Sequence, residues 1–138
     1  MTDLAAAPLK TTALHARHTA SGARLVPFAG WEMPVEYSGI SDEHLAVRTR
    51  VGLFDVSHMG EVFVTGPEAG RFIQSITIND VNRLSDGTGQ YSAILHPTGG
   101  MIDDLIIYRL KPTEYLICVN ASNADKDFAW IKKQAERV

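Results

Sequence analysis

Residues 90–121, QYSAILHPTGGMIDDLIIYRLKPTEYLICVNA, determine the architecture of this chain. They contain three runs rich in β-branched and aromatic residues, typical of strands, over residues 90–96, 101–110 and 114–121. The connections PTGG and KPTE each contain a proline, PTGG also contains two glycines, and both connections are short enough for hairpins. The stretch therefore predicts a three-stranded antiparallel meander.

Amphipathic helices are predicted on both sides of the meander. Before it, Gly66 and Pro67 open a helix whose apolar stripe consists of Phe72, Ile73 and Ile76. After it, a helix from about Asn123 has an apolar face made of Ala124, Phe128, Ile131 and Ala135. Strands and helices do not alternate strictly, as they would in a doubly wound fold. We therefore predict the α+β class, an antiparallel sheet with flanking helices.

The segment before these elements predicts one more helix and two short strands. Ser41 has the hydroxyl of an N-cap residue, and Gly52 is placed where a left-handed residue ends a helix, so we expect a helix from Ser41 to about Val51. Residues 53–64 suggest two short strands broken near Met59. The best internal boundary is the loop before Leu53.

Composition excludes several classes of function. The 138 residues, 45% of them hydrophobic, are enough for one globular domain with a core, or for one domain and part of another. The 13 basic and 16 acidic residues are scattered and give a net charge of -3, so no nucleic-acid or anionic-membrane partner is expected. A single cysteine, Cys118, excludes an intrachain disulfide and favours a reducing compartment.

The start of the chain has no basic region followed by an apolar run of signal-peptide length, and no apolar stretch is long enough to cross a bilayer. We expect a soluble protein of the bacterial-type cytoplasm, or of the mitochondrial matrix if a presequence has been removed.

Asp103 and Asp104 are the most informative pair of residues. Successive side chains of a strand point to opposite faces, so Asp103 shares a face with Leu105, and Asp104 shares the other face with Tyr108. Burying either face brings a carboxylate toward apolar residues, which is costly without a partner. Either the pair is solvated at the start of the strand, after Gly99 and Gly100, or one member is retained for a functional site. The residues alone leave both alternatives open.

The other candidate groups favour structural interpretations. Met59 precedes Gly60, where backbone could approach a ligand or form a bulge. The histidines lack the spacing of a metal site, so no metal is predicted. Cys118 lies between apolar neighbours, as a packed thiol would. Neither a glycine-rich phosphate loop nor a nucleophile elbow is present.

Several segments together resemble a known family. They are LHARHTASGARLVPFAGWEMPVEY, AVRTRVGLFDVSHMGEVFVTG, TINDV, GQYSAILHPTGGMIDDLIIYRL and VNASNADKDFAWI, in order from about residue 9 to residue 138. This pattern resembles the glycine cleavage system T-protein, an aminomethyltransferase. The resemblance implies a folate-binding fold of the T-protein type. It also implies transfer of an aminomethyl group from the lipoyl arm of H-protein to tetrahydrofolate, with release of ammonia and formation of 5,10-methylenetetrahydrofolate in glycine catabolism.

The resemblance also implies site residues. The second acid of the GGMIDDL segment, Asp104, matches the family's acid in the folate pocket, where a carboxylate can orient the folate and stabilise developing positive charge. Asp103 becomes its structural neighbour. Further positions matching residues that line or adjoin the family's folate pocket are Met59, Tyr91, Tyr108 and Asn120.

Members of the family are longer and have three domains, which bears on how this chain is organised. The resemblance assigns residues 1–52 to part of a first folate-binding domain and residues 53–138 to a nearly complete second domain. Apolar residues of the first part, such as Leu25, Phe28 and Trp31, should then be partly exposed unless they pack elsewhere or mediate self-association. We expect little activity from 138 residues alone. The alternatives are a non-enzymatic folate-binding or oligomerising module and a folate-dependent demethylase-like relative.

Overall fold

The computed structural model describes residues 8–137 of the chain. Contacts divide the chain into two units, one ending at His58 and the other beginning at Met59. The elements in chain order are α1 (His15–Ala20), β1 (Arg24–Phe28), β2 (Trp31–Glu36), α2 (Ile40–Thr49), β3 (Gly60–Thr65), α3 (Ala69–Ile76), a 3-10 turn (Val81–Arg83), β4 (Thr88–Leu95), β5 (Met101–Lys111), β6 (Glu114–Val119) and α4 (Ala124–Ala135). No helix among the described residues has both the length and the apolar character needed to span a membrane.

The second unit is built on a four-stranded antiparallel sheet in the order β3-β6-β5-β4. Strands β4, β5 and β6 form the predicted meander. The turn between β4 and β5 is closed by the His96 amide, which donates to the Gly100 carbonyl at 2.7 Å, and Gly99 adopts a φ of +89° there. Strand β3 pairs with β6, the last strand in the chain, and completes the sheet. The α+β prediction is confirmed.

One face of this sheet packs against α3 and α4. The buried cluster there consists of Val62, Ala69, Phe72, Ile73, Val81, Leu84, Ile94, Leu105, Ile107, Tyr115, Ile117, Val119 and Ile131. The predicted stripe of α3 is confirmed, because Phe72 and Ile73 are buried and Ile76 packs against the cluster. The predicted stripe of α4 is partly wrong, because Phe128 is 50% exposed. Ile131 is buried as predicted and Ala124 packs against the cluster, but the other buried residue of this helix is Asp127, four positions before Ile131 on one face.

The first unit contains α1, the β1-β2 hairpin and α2. Its second helix begins at Ile40, and Ser41 makes no capping hydrogen bond, so that prediction was wrong. The Glu43 side chain takes the capping role instead. Its Oε1 accepts the backbone N–H groups of Tyr37 at 2.7 Å, Ser38 at 2.6 Å and Gly39 at 3.1 Å. The acidic group of the first turn thus satisfies amides that precede the helix.

The end of α2 and the segment after it also differ from the prediction. The helix ends at Thr49, and Gly52 is not left-handed. Gly52 is needed for close packing instead, because a Cβ atom there would lie 2.4 Å from Cγ2 of Val47. Residues 53–64 contain one strand, β3, rather than two.

Residues 53–58 belong by their contacts to the first unit, although the sequence placed a boundary at Leu53. The reason is Asp55, whose Oδ2 accepts hydrogen bonds from Thr12 at 2.6 Å and His18 at 2.8 Å. These bonds hold the segment next to α1, and residues 53–58 form no strand. The expected exposure of the first part is confirmed at Phe28, which is 59% exposed, and Trp31 is half-buried.

Candidate functional site

The candidate site lies on the face of the four-stranded sheet opposite the apolar cluster, which we name the outer face. Antiparallel register places Ala93 beside Asp104 on this face, followed by the row Tyr91, Ile106 and Cys118. The next row contains Tyr108 and its partner Leu116. Residues of this face thus come from every strand of the sheet: Glu61, Phe63, Tyr91, Ala93, Asp104, Ile106, Tyr108, Leu116 and Cys118.

Asp104 is held in place by two neighbours on the outer face. The Tyr91 hydroxyl donates to its Oδ2 at 2.7 Å, and the Asn120 amide donates to its Oδ1 and its carbonyl oxygen, both at 3.1 Å. The hydrogen bond to Asp104 raises the pKa of the Tyr91 phenol, with smaller contributions from desolvation and from the charges of Asp104 and Asp103. A carboxylate has about four acceptor positions. Asp104 is therefore fixed in orientation and can still accept a hydrogen bond from a ligand.

Asp103 lies on the core side of the same strand and is buried. Its Oδ1 accepts the Asp104 amide at 3.0 Å and the Asn120 amide at 3.2 Å, and its Oδ2 accepts the Asn123 amide at 2.9 Å. Burial alone would raise the pKa of Asp103, but hydrogen bonds with Asp127, Asn123, Asn120 and the Asp104 amide outweigh burial and lower it. Asp103 is thus not a solvated acid at a strand end.

The other two predicted residues, Tyr108 and Met59, make no hydrogen bond to Asp104. Tyr108 lies on the outer face, where a Cβ atom on Gly89 would come within 2.7 Å of its ring. Gly89 therefore allows the ring to lie against the strand. Met59 directly precedes β3, whose first residue, Gly60, pairs with Val119 at the end of β6. The space above Gly60 is taken by Val119 and Ala124, at 2.6 and 2.8 Å from an added Cβ, rather than left for a ligand.

Sequence reasoning missed two residues that complete this group, Asn123 and Asp127. Asn123 ends the turn after β6 and donates to Asp103. Asp127 lies one helical turn before the buried Ile131, and its exposure is 0%. The sequence did contain a signal for Asp127, because a carboxylate there lies within the apolar stripe of the amphipathic helix α4.

Metal and thiol chemistry receive no support from the described part of the chain. Residues 8–137 contain no group of three or more His, Cys, Asp or Glu side chains that could hold a metal ion. Burial, and secondarily the charge of Glu61, raises the pKa of the Cys118 thiol, which keeps it protonated.

Comparisons with known proteins agree with one another. Residues 14–138 match the GCVT N-terminal domain family. The chain is 56% identical over 126 residues to an aminomethyltransferase of Bdellovibrio bacteriovorus, an alignment that covers 91% of this chain and 35% of that protein. It is 54% identical over 125 residues to an aminomethyltransferase of Chlorobium limicola, covering 91% of this chain and 34% of that protein. The chain thus spans about a third of the length of these relatives.

A solved structure supports the same assignment of fold. The crystal structure of glycine cleavage system aminomethyltransferase T from Bartonella henselae superimposes with a TM-score of 0.86 at 41% sequence identity. The superposition covers 92% of this chain and 36% of that one. The fold that the resemblance implied is therefore confirmed.

Proposed function

Because the chain belongs to the GCVT N-terminal domain family, we propose that it is the N-terminal portion of an aminomethyltransferase of glycine cleavage. In the proposed reaction, the aminomethyl carbon held on the lipoyl arm of H-protein passes to tetrahydrofolate. Ammonia is released and 5,10-methylenetetrahydrofolate is formed. Lipoylated H-protein and tetrahydrofolate are the proposed partners of the longer protein.

The observation that carries this proposal is the arrangement of Tyr91, Asp104 and Asn120 on the outer face. Asp104 is oriented by a hydroxyl and an amide that between them bond both of its carboxyl oxygens. A carboxylate in this position suits a heterocycle that presents N–H groups, because each such bond is charge-assisted. It also stabilises positive charge that develops on a folate nitrogen during carbon transfer.

Aromatic groups on the face that Asp104 occupies suit the flat ring of a pterin. Tyr91 is 64% exposed and Tyr108 is 37% exposed, and both lie on the face that Asp104 occupies. Aromatic side chains bind planar ligands by stacking and by edge contacts. In this proposal, Tyr91 and Tyr108 with Met59 line the pocket, Asn120 orients the acid, and Asp104 contacts the reacting part of the folate. The protein supplies position and electrostatics, while the folate supplies the nucleophilic nitrogen.

Calorimetric titration of the 138-residue chain with tetrahydrofolate, under reducing and anaerobic conditions, tests the proposal. The Asp104→Asn variant should bind about tenfold more weakly or worse, because a hydrogen bond to a charged group contributes about 1.5–3 kcal/mol. Asp125→Asn is the matched control, since Asp125 is an exposed acid at the start of α4. Its affinity should equal that of the wild type.

Two outcomes would contradict the proposal in different ways. Equal affinity of the wild type and the Asp104→Asn variant would remove Asp104 from the binding site. A folded wild-type chain that binds no folate would instead favour the alternative of a non-enzymatic module. Circular dichroism of each variant establishes that the comparison is made between folded chains.

A further inference from the structure

Asp127 is the most deeply buried carboxyl group described in the chain. Its exposure is 0%, and neither side-chain oxygen accepts a hydrogen bond from an N–H or O–H group of a described residue. The ammonium group of Lys126 lies 3.6 Å from Oδ1, beyond hydrogen-bond distance, and donates to the Ile102 carbonyl instead. An ionised carboxylate in this position would lack the donors that such a buried charge requires.

The neighbour of Asp127 is the second buried acid, Asp103. Two ionised carboxylates are both acceptors and cannot hydrogen-bond to each other. Asp127 acts on the pKa of Asp103, and Asp103 on that of Asp127, so a hydrogen bond between them requires a proton on one member. Asp103 already accepts three N–H groups, from Asp104, Asn120 and Asn123, whereas Asp127 accepts none. The proton therefore belongs on Asp127, and the negative charge belongs on Asp103.

We propose that Asp127 is a positioning acid for the Asp104 site: its neutral carboxyl donates a hydrogen bond to Asp103, and Asp103 thereby holds the Asn120 amide against Asp104. The chain of contacts is continuous. Asn120 Nδ2 lies 3.2 Å from Asp103 Oδ1 and 3.1 Å from Asp104 Oδ1, so one amide group joins the buried acid to the acid of the outer face. The inference rests on the proposed function only in treating Asp104 as the folate-binding group.

The arrangement predicts a response to pH. The charged groups that face Asp127 are Asp103 from β5 and Lys126 from its own helix. Burial, followed by the hydrogen bond with Asp103 and the charge of Asp103, raises the pKa of Asp127 to about 7, and Lys126 opposes this rise. Above that pH, the two carboxylates repel each other. The Asn120 amide then loses its fixed position between Asp103 and Asp104.

Nuclear magnetic resonance of the 138-residue chain tests this inference without any ligand. In the wild type, the Cγ carbon of Asp127 and the side-chain amide of Asn120 should titrate together, with a midpoint near pH 7. In the Asp127→Asn variant, the new amide donates permanently to Asp103. The Asn120 signals should then stay at their low-pH positions across the range. Asp125→Asn, two residues earlier in the same helix, should titrate like the wild type.

Several results would overturn the inference. The Cγ carbon of Asp127 could titrate near its ordinary value of 3.8, or the Asn120 amide could ignore the ionisation of Asp127. The first result is measured on the wild type and needs no variant to fold. Asn120 signals that titrate equally in the Asp127→Asn variant would also exclude a positioning role.

A second readout connects the inference to binding. Tetrahydrofolate affinity of the wild type should fall as pH rises above about 7, whereas that of the Asp127→Asn variant should not show this fall. If Asp127 had only a structural role, its replacement would lower the affinity at every pH, and asparagine would not restore it. Absence of folate binding at every pH would defeat the proposed function, while the Asn120 titration would still decide the inference.

Discussion

The second unit buries thirteen side chains in one apolar cluster, whereas the buried residues among positions 8–58 of the first unit are Thr12, His18 and Met33. Two of these three are polar. They belong to a network in which His18 Nε2 lies 2.8 Å from Asp55 Oδ2 and His18 Nδ1 lies 2.7 Å from the Tyr37 hydroxyl. The second unit thus depends on non-directional burial, and the first on a few directional polar contacts.

Exposed apolar residues show the same contrast. Leu53 is 100% exposed, Val51 82% and Phe54 66%, and α2 has no buried residue. The first unit therefore gains little from removing apolar surface from water. The two tryptophans allow the units to be followed separately, because Trp31 lies in β2 and Trp130 in α4. In Trp130→Phe and Trp31→Phe backgrounds, fluorescence reports on one unit at a time.

The largest effect is expected in the apolar cluster. Ile117 has 0% exposure and lies between Ile107 and Val62 in the sheet. Replacing it with alanine should lower the free energy of unfolding by about 2–5 kcal/mol, through lost transfer energy and the cavity left behind. Urea titration followed by Trp130 fluorescence measures this loss.

The control for this prediction is Ile78→Ala, the same change at a position 55% exposed. It should cost less than about 0.5 kcal/mol. Equal losses at Ile117 and Ile78 would mean that burial does not distinguish the two positions. The contrast between the units would then lose its physical basis.

The next effect is expected in the polar network of the first unit. Asp55→Asn removes the charge to which Thr12, His18 and Ser57 bond, and should lower the free energy of unfolding of this unit by about 1.5–3 kcal/mol. Trp31 fluorescence during urea unfolding measures the change. Asp42→Asn, at an exposed position of α2, is the control and should leave the midpoint unchanged.

Lowering the pH should destabilise the first unit through the same network. Burial raises the pKa of Asp55, but hydrogen bonds from His18, Ser57 and Thr12 outweigh burial and lower it below the ordinary 3.8. A lowered pKa contributes stability that is present above pH 3.8 and lost as the pH falls toward the folded value. The raised pKa of Asp127 acts in the opposite sense, since it removes stability from the second unit as pH rises from 3.8 to about 7. An acid-insensitive Trp31 midpoint would contradict the assignment to Asp55.

The parts of the fold that the sequence predicts correctly depend on neighbours in the chain. The β4-β5-β6 meander follows from alternating side chains and short turns, and the same period of two places Asp104 and Tyr108 on one face. The pairing of β3 with β6 joins residues more than 40 positions apart, and no local pattern specifies it. The strand predicted around Asp55 fails for the same reason, because its partners lie in and before α1.

The candidate site likewise contains residues that local sequence patterns place and residues that they do not. Asp104 follows from the period of the strand together with the family resemblance. The support beneath it comes from Asn120 and Asn123 in the turn after β6 and from Asp127 in α4. These residues are 16 to 24 positions from Asp103 or Asp104. The pairing of β5 with β6 brings Asn120 there, and the packing of α4 on the sheet brings Asn123 and Asp127.

The smallest effect is expected at the start of α2, where the first unit again uses a polar contact in place of a core. Glu43 accepts three backbone N–H groups, and these bonds lower its pKa. Glu43→Gln keeps an acceptor but removes its charge, so the amides of Tyr37, Ser38 and Gly39 should exchange with solvent faster. Hydrogen exchange at neutral pH measures this loss of protection, and Asp42→Asn in the same turn should not cause it.

The Trp31 unfolding midpoint should move less in Glu43→Gln than in Asp55→Asn, since the Asp55 side chain is only 1% exposed and water cannot replace its lost partners. Unchanged protection of the three amides would show that the helix start is held by its backbone, and the contrast between the units would then rest on the Asp55 network alone.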